Sequence, residues 1–353
     1  VGESDGVKSL AMEQINNQQL NMLNDNYRTC YEVFVYSFYD SDKDGIGDLK
    51  GLTEKLDYIN DGDDTTDADL GCNEIWLMPI MPSTTYHKYD VTDYCAIDPE
   101  YGTMEDFTVL VEECHKRGVR VIIDFVMNHT SSKHEWFTAA CQYLQSLGEG
   151  EEPDESVCPY VGYYNFTKES KGNYYQVPGT DWYYEGQFWS EMPDLNLSNE
   201  AVRQEFSEIV RFWLGMGVDG FRLDAVKEYV TGNNSANVEV LTWFTDMVKA
   251  QKDDAYLVGE AWSDYNTYAQ YYGSGMDSLF DFAFADPPYV HKCPFAQAMV
   301  LQKAVQVPME KPLLLWMRPF VSTRKIISTH HFIPIMIWPA VPDIIPVNMR
   351  SVR

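Results

Sequence analysis

The sequence predicts an α/β fold: a barrel of parallel strands, interrupted by one small inserted subdomain. Three observations carry that reading. Short apolar runs alternate with helical periods, the signature of a parallel sheet covered by helices. Three of the runs end in polar or charged groups, namely Asp124-Phe-Val-Met-Asn-His129, Gly220-Phe-Arg-Leu-Asp224 and Val258-Gly-Glu260-Ala-Trp262. Parallel barrels gather their chemistry there, because strand ends hold side chains rigidly while the following loops vary. Finally, 353 residues accommodate one barrel of about 250 residues together with an insertion.

Taken in order, Tyr31-Glu-Val-Phe-Val-Tyr-Ser-Phe38 reads as strand one, and Leu49 to Ile59 as its helix. Asn73-Glu-Ile-Trp-Leu-Met-Pro-Ile80 reads as strand two. Thr103 and Asp106 form a capping box that opens a helix from Met104 to Arg117, and Gly118 is placed to stop it. Val119 to Phe125 follows as strand three. From residue 130 to 195 the alternation breaks into a stretch rich in Gly, Asn, Ser, acids and aromatics. A structureless loop of that length is improbable, so the stretch reads as a small subdomain. The barrel resumes with a helix from Asn199 to Met216, strand four (Val218 to Leu223) and a helix from Asn237 to Lys252. Strand five (Ala255 to Gly259) and strand six (Ser278 to Phe282) complete the alternating part.

The net charge of −28 argues against nucleic acid, whose phosphates it would repel, and favours a neutral or cationic ligand. No apolar stretch reaches the ~18 residues that a membrane span needs. Val1 is not followed by a charged and then apolar leader, so no signal peptide is read. The seven cysteines show no Cys-x-x-Cys spacing, which argues against zinc. Cys141 and Cys158 share one polar, loop-rich stretch and are either a local disulfide or two free thiols. The other cysteines sit mostly in or beside apolar runs and read as packing.

Two carboxylates at neighbouring strand ends, Asp224 and Glu260, suit double-displacement chemistry at a glycosidic carbon, which needs them about 5–5.5 Å apart. One attacks the anomeric carbon while the other protonates the leaving oxygen. Arg222 would keep Asp224 ionised, because a nearby cation lowers a carboxylate's pKa. Glu260 needs the opposite, and partial burial against Trp262 would supply it. His129 could donate hydrogen bonds to sugar hydroxyls. Asp40-Ser-Asp42-Lys-Asp44-Gly-Ile46-Gly-Asp48 sets acids at every second position around glycines, a pattern suited to a hard cation with oxygen ligands. The aromatic cluster from Trp182 to Trp189 offers either flat faces to sugar rings or a subdomain core.

Asp124-x-x-x-Asn128-His129, Gly220-Phe-Arg222-x-Asp224 and Gly259-Glu260 resemble, in the family's order, three of the four motif regions of the α-amylase family. Met192-Pro-Asp-Leu-Asn196 resembles the additional motif of its oligosaccharide-cleaving branch, and the likeness runs from Tyr31 to Ala285. The resemblance implies a (β/α)8 TIM barrel with a subdomain after strand three, and a retaining mechanism on α-linked glucans, mainly α-1,4. It implies Asp224 as nucleophile, Glu260 as acid/base and Arg222 as partner of the nucleophile. His129, His87, Asp124 and Tyr89 would be substrate-binding residues, with Tyr89 stacking on the sugar. The acidic loop resembles the family's calcium loop, implying Ca2+ held by Asp40, Asp42, Asp44, Asp48 and the Ile46 carbonyl, with Asn128 a further metal candidate. Lys227 follows the nucleophile as in many amylases, but Glu228 stands where a histidine is often found. The expected setting is a monomer, extracellular or at the cell surface, working in carbohydrate metabolism. The open alternatives are an α-glucan transglycosylase and a non-catalytic sugar- or partner-binding barrel.

The character of the chain changes after residue 286. Residues 287–353 hold none of the 22 glycines and ten of the 17 prolines, and eight Lys and Arg stand against only Glu310 and Asp343. The family's fourth region, an Asn-His-Asp segment after strand seven, is not found in the sequence. Yet permitted codons for His331 to Ala340, read one base earlier, give Phe-Tyr-Thr-Asn-His-Asp-Met-Ala-Arg. The organisation expected is therefore barrel (1–129), inserted subdomain (130–195), barrel (196–286) and an out-of-frame tail (287–353). Strands seven and eight and the family's C-terminal β domain would then be missing, leaving an incomplete barrel with little or no hydrolase activity.

Overall fold

The computed structural model describes residues 28–282 and the short strand His331–Phe332. The expectations for the rest of the tail, including its alternative frame, lie outside the described residues. Strands β1 (Cys30–Val33), β2 (Glu74–Leu77), β3 (Arg120–Phe125), β7 (Gly220–Leu223), β8 (Tyr256–Gly259), β9 (Ser278–Phe280) and β10 (His331–Phe332) form one parallel sheet in chain order. Every pairing is parallel: Val33 lies beside Leu77, Leu77 beside Ile123, and Phe125 beside Leu223. Among the described residues β1 and β10 are the two edges, so the sheet is an incomplete (β/α)8 barrel. Between β3 and β7 a small antiparallel sheet, β4 (Phe166–Thr167), β6 (Tyr183–Glu185) and β5 (Tyr174–Gln176), forms the inserted subdomain.

The strands are buried on both faces, which is why they read as continuous apolar runs rather than as alternation. One face packs under helices. Phe125 meets Phe206 of α6 (Glu200–Gly215) at 5.7 Å between centroids, and Phe244 of α7 (Asn234–Gln251) at 5.6 Å. The other face gathers Trp76, Ile122, Tyr256, Val258 and Phe280 inside the curl of the sheet. Gly220 allows β7 to lie close to β8, because a Cβ there would sit 2.0 Å from the Tyr256 carbonyl oxygen.

Helix α4 (Met104–Lys116) begins at the predicted capping box, with both reciprocal bonds of Thr103 and Asp106 formed. It stops at Gly118, whose φ of +72° is the left-handed conformation that glycine adopts freely. Three elements depart from expectation. Strand one ends at Val33, and Val35–Phe38 (α1) turns as a helix, because Gly47 packs against it and donates to the Tyr36 carbonyl at 2.7 Å. The helix expected from Leu49 to Ile59 is two pieces, α2 (Leu49–Glu54) and α3 (Leu56–Ile59), broken at Lys55. The inserted segment opens with an unpredicted helix, α5 (Glu135–Ser146), capped by the His134 side chain. Histidine is not among the usual capping residues, so no start signal was legible there. Cys141 and Cys158 are both free thiols.

Candidate active site

Arg222 organises the carboxyl end of the sheet. It projects from β7 and is 4% exposed. Its Nη1 lies 2.7 Å from Asp224 Oδ1 and 2.9 Å from Asp124 Oδ1, while Nη2 lies 2.9 Å from Glu260 Oε2. One planar guanidinium thus ties together the ends of three adjacent strands, which its fixed fork of donors allows and a lysine would not. The rings of Trp76, Tyr89 and Phe280 surround its carbon at 5.1, 5.8 and 5.8 Å. Burial works against the guanidinium charge, yet the acids beside it hold its pKa well above the ordinary arginine range.

The three carboxylates differ in setting. Burial pushes Asp124 up to about 7, opposed by Arg222 and raised further by Asp224. Both its oxygens are occupied: Tyr89 Oη donates at 3.0 Å and Trp76 Nε1 at 3.2 Å to the one that Arg222 also reaches, and Arg222 holds the other. Asp124 therefore orients Arg222 and Tyr89. Glu260 is also raised, first by burial and then by Asp224, against the pull of Arg222. Its Oε2 accepts from the Ala225 N–H at 3.2 Å. That N–H is aimed by an unusual backbone: Ala225, next to Asp224, has φ +49°. Trp262, two residues on, is 59% exposed and stacks on Phe282 at 5.2 Å.

His129 is 2% exposed, and burial lowers its pKa to about 4, so it is neutral at pH 7. Its Nε2 faces the Tyr89 carbonyl at 3.1 Å and its Nδ1 faces Asn128 Nδ2 at 3.3 Å. A carbonyl only accepts, so the proton sits on Nε2 and is directed at the Tyr89 backbone. His87 Nδ1 in turn accepts from the Tyr89 N–H at 3.2 Å. His129, His87 and Asp124 together fix the position of Tyr89.

In the acidic loop, oxygens of Asp40, Asp42 and Asp48 lie within 4.8 Å of one another. Asp44 is outside that group, its side chain accepting from the Ile46 N–H at 2.8 Å. Asn128 Nδ2 donates to Asp194 Oδ1 at 3.2 Å. The aromatic cluster divides: Tyr184 is buried in the subdomain core, whereas Phe188 and Trp189 are about half exposed.

Some site residues were not legible in the sequence. Trp76 stands on β2 without any motif, and only the register across β2 and β3 brings it to Asp124. Asp194 was visible inside Met192-Pro-Asp-Leu-Asn196, but its setting was not: it is 4% exposed, and its pKa is raised to about 8 by burial and then by Glu185 and Glu228. Lys88 is fully enclosed at 1% exposure and is paired with Asp98 at 2.8 Å and Glu100 at 2.6 Å. Its position between His87 and Tyr89 was visible, but its burial was not.

Charged groups massed at the carboxyl ends of parallel strands, with a buried cation between acids, define a barrel protein of the (β/α)8 class. The chain belongs to the alpha-amylase catalytic-domain family, whose model matches residues 32–320. It is 44% identical over 259 residues to Alpha-amylase 3 of Dictyoglomus thermophilum, covering 72% of this chain and 47% of that protein. It is 39% identical over 207 residues to an oligo-1,6-glucosidase of Bacillus cereus, covering 56% of this chain and 34% of that one. Among solved structures, Eubacterium rectale Amy13B superposes with a TM-score of 0.70 at 61% identity, covering 78% of this chain and 52% of the other. The chain spans about half the length of these relatives or less.

Proposed function

We propose that the chain carries the catalytic residues of a retaining glycosidase acting on α-glucosidic bonds, mainly α-1,4, in starch and maltooligosaccharides. The observation that carries this reading is the single guanidinium of Arg222 holding Asp224 and Glu260 at 2.7 and 2.9 Å. In the first step Asp224 attacks the anomeric carbon as Glu260 gives its proton to the departing glycosidic oxygen. In the second, Glu260 takes a proton from water, whose oxygen displaces Asp224 and restores both groups. Their roles differ because Arg222 contacts Asp224 at the nearest approach, while burial favours the neutral form of Glu260. Tyr89 offers its ring to the sugar.

The acidic loop fits a calcium ion. Three carboxylates converge there, and among the described residues no salt bridge compensates Asp40, Asp42 or Asp48. Asp40, Asp42 and Asp48 would hold the ion, which would brace the turn between α1 and α2. Added Ca2+ is expected to raise Tm by mass action, by about 2.7 kcal/mol of stability at a hundredfold excess over Kd. Asp42→Ala should remove the Ca2+ response while leaving the Tm in chelator within about a degree or two.

The test of the function is hydrolysis of a chromogenic α-1,4-maltooligosaccharide by this chain and by a form whose tail is restored in the alternative frame. The restored form is expected to be active, and Asp224→Asn or Glu260→Gln to lower kcat by at least about 10²–10⁴. Undiminished activity in either variant would reject the assignment. Activity of the unaltered chain would reject the frame reading of its tail.

A further inference from the structure

The inserted subdomain meets the nucleophile loop through Glu185 and Gln187, with Phe188 next along the chain. Gln187 makes three separate connections. Its backbone N–H donates to Asp194 Oδ2 at 3.1 Å. Its side-chain amide donates to the Glu228 carboxylate, and its side-chain oxygen faces Thr231 Oγ1 at 2.7 Å. The other oxygen of Glu228 accepts from Lys227 Nζ at 2.7 Å, and Thr231 Oγ1 also lies 2.6 Å from Glu185 Oε1. Phe188 then lies against the His129 ring at 5.3 Å. The turn that presents the pair is tight, since a Cβ on Gly186 would meet the Trp189 carbonyl at 2.9 Å.

Glu228 and Thr231 belong to the loop that leaves Asp224. At its start this loop is bound to the next strand end, with Ala225 N–H at 3.2 Å from Glu260 Oε2 and Val226 N–H at 3.0 Å from the Glu260 carbonyl. Its far end leans on Asn237, which receives the Val230 N–H and donates to the Lys227 carbonyl, both at 2.6 Å. The remaining side of the loop is held across to the insertion by Gln187, which bonds both Glu228 and Thr231, and by Glu185, which bonds Thr231 alone. An amide suits that position because Glu185, Asp194 and Glu228 crowd around it: a donor is needed towards Glu228 and an acceptor towards Thr231, and a further negative charge would be repelled. Glu228, where the family often has histidine, supplies the acceptor.

We propose that Gln187 is a positioning residue that clasps the inserted subdomain to the nucleophile loop, holding the His129 and Asp224 sides of the sugar site at their working separation. This rests on the glycosidase reading of Asp224 and Glu260. The clasp can be reversed without loss of volume. Gln187→Glu sets a carboxylate against Glu228, and adding Glu228→Gln restores the donor–acceptor pair with its polarity exchanged.

The experiment uses the full chain and compares the unaltered protein, Gln187→Glu, and Gln187→Glu with Glu228→Gln. Amide hydrogen exchange over residues 225–233 and affinity for maltotetraose, read by tryptophan fluorescence, are measured on each. The single substitution is expected to speed exchange in that segment and weaken maltotetraose binding, each by about tenfold. The double substitution should return both to within about twofold of the unaltered protein. Unchanged exchange in the single variant overturns the clasp. Faster exchange with unchanged affinity overturns its positioning role, as does a double variant no better than the single. Should the unaltered chain bind no maltotetraose, the three proteins are compared in the form restored in the alternative frame; if that form binds none either, the glycosidase reading fails, and the exchange arm alone decides whether Gln187 holds the loop.

Discussion

Lys88 shows how far a single side chain can be committed to a fold. It adopts φ +62°, lies over the Tyr101 ring at 4.7 Å and neutralises buried Asp98. Removing one partner from a buried ion pair leaves the other uncompensated, so Lys88→Met should cost about 3–5 kcal/mol in denaturant unfolding. Lys50→Met, on a 3.6 Å pair with an exposed ammonium, should stay within about 0.5 kcal/mol. Glu260 makes a second residue-scale prediction. In the proposed mechanism its proton is needed for leaving-group departure, and its folded pKa is raised, so activity should fall as pH rises through a value above the ordinary glutamate range. Glu260→Gln in the restored form should abolish that alkaline limb along with the activity. Asp224, Glu260, Arg222 and Asp124 were all legible as strand-end residues because their chemistry is local to a motif. Trp76 was not, because what makes it part of the site is pairing between distant segments; Asp194 stood inside the Met192-Pro-Asp-Leu-Asn196 motif, but its bond to Asn128 could not be read there.

Strands proved easier to locate than to delimit. β3, β7 and β8 fall inside their predicted runs, since both faces are buried and the apolar pattern is unbroken. β1 ended early because a packing glycine, Gly47, decides where the chain bends, and it lies fourteen residues beyond Val33. One prediction belongs to the junction of elements rather than to any one of them. Asp219, just before β7, accepts from His115 of α4 at 2.7 Å and from the Val121 N–H of β3 at 2.9 Å, with Lys252 at 3.6 Å. Burial opposes its ionisation, but these partners outweigh burial and hold its pKa below the ordinary value. A depressed carboxylate contributes stability that is fully present above its unfolded pKa of about 3.9 and is lost as pH falls through the folded value. Asp219→Asn should therefore cost about 3–5 kcal/mol at pH 7, with the difference shrinking below about pH 4. Calorimetry across that range would check it.

For the molecule as a whole, the open sheet and the charge are the governing facts. Among the described residues β1 pairs only with β2, which leaves a row of backbone donors and acceptors at an edge. The unaltered chain should accordingly bind a hydrophobic dye more strongly than the form restored in the alternative frame, measured by fluorescence at equal concentration. The tail's change of composition was legible, because glycine, proline and charge counts need no structure; its alternative frame rests on codons alone and lies outside the described residues. The net charge of −28 bears on the site as well. Arg222 is one cation among three carboxylates, so even with the proton kept on Glu260, ionised Asp124 and Asp224 leave the cluster one negative charge in excess inside a low-dielectric recess. Such a recess is an electrostatic sink for a positively charged ring. A sugar analogue with a protonated ring nitrogen should therefore outcompete its neutral counterpart, with an advantage that fades as its own ammonium is titrated away.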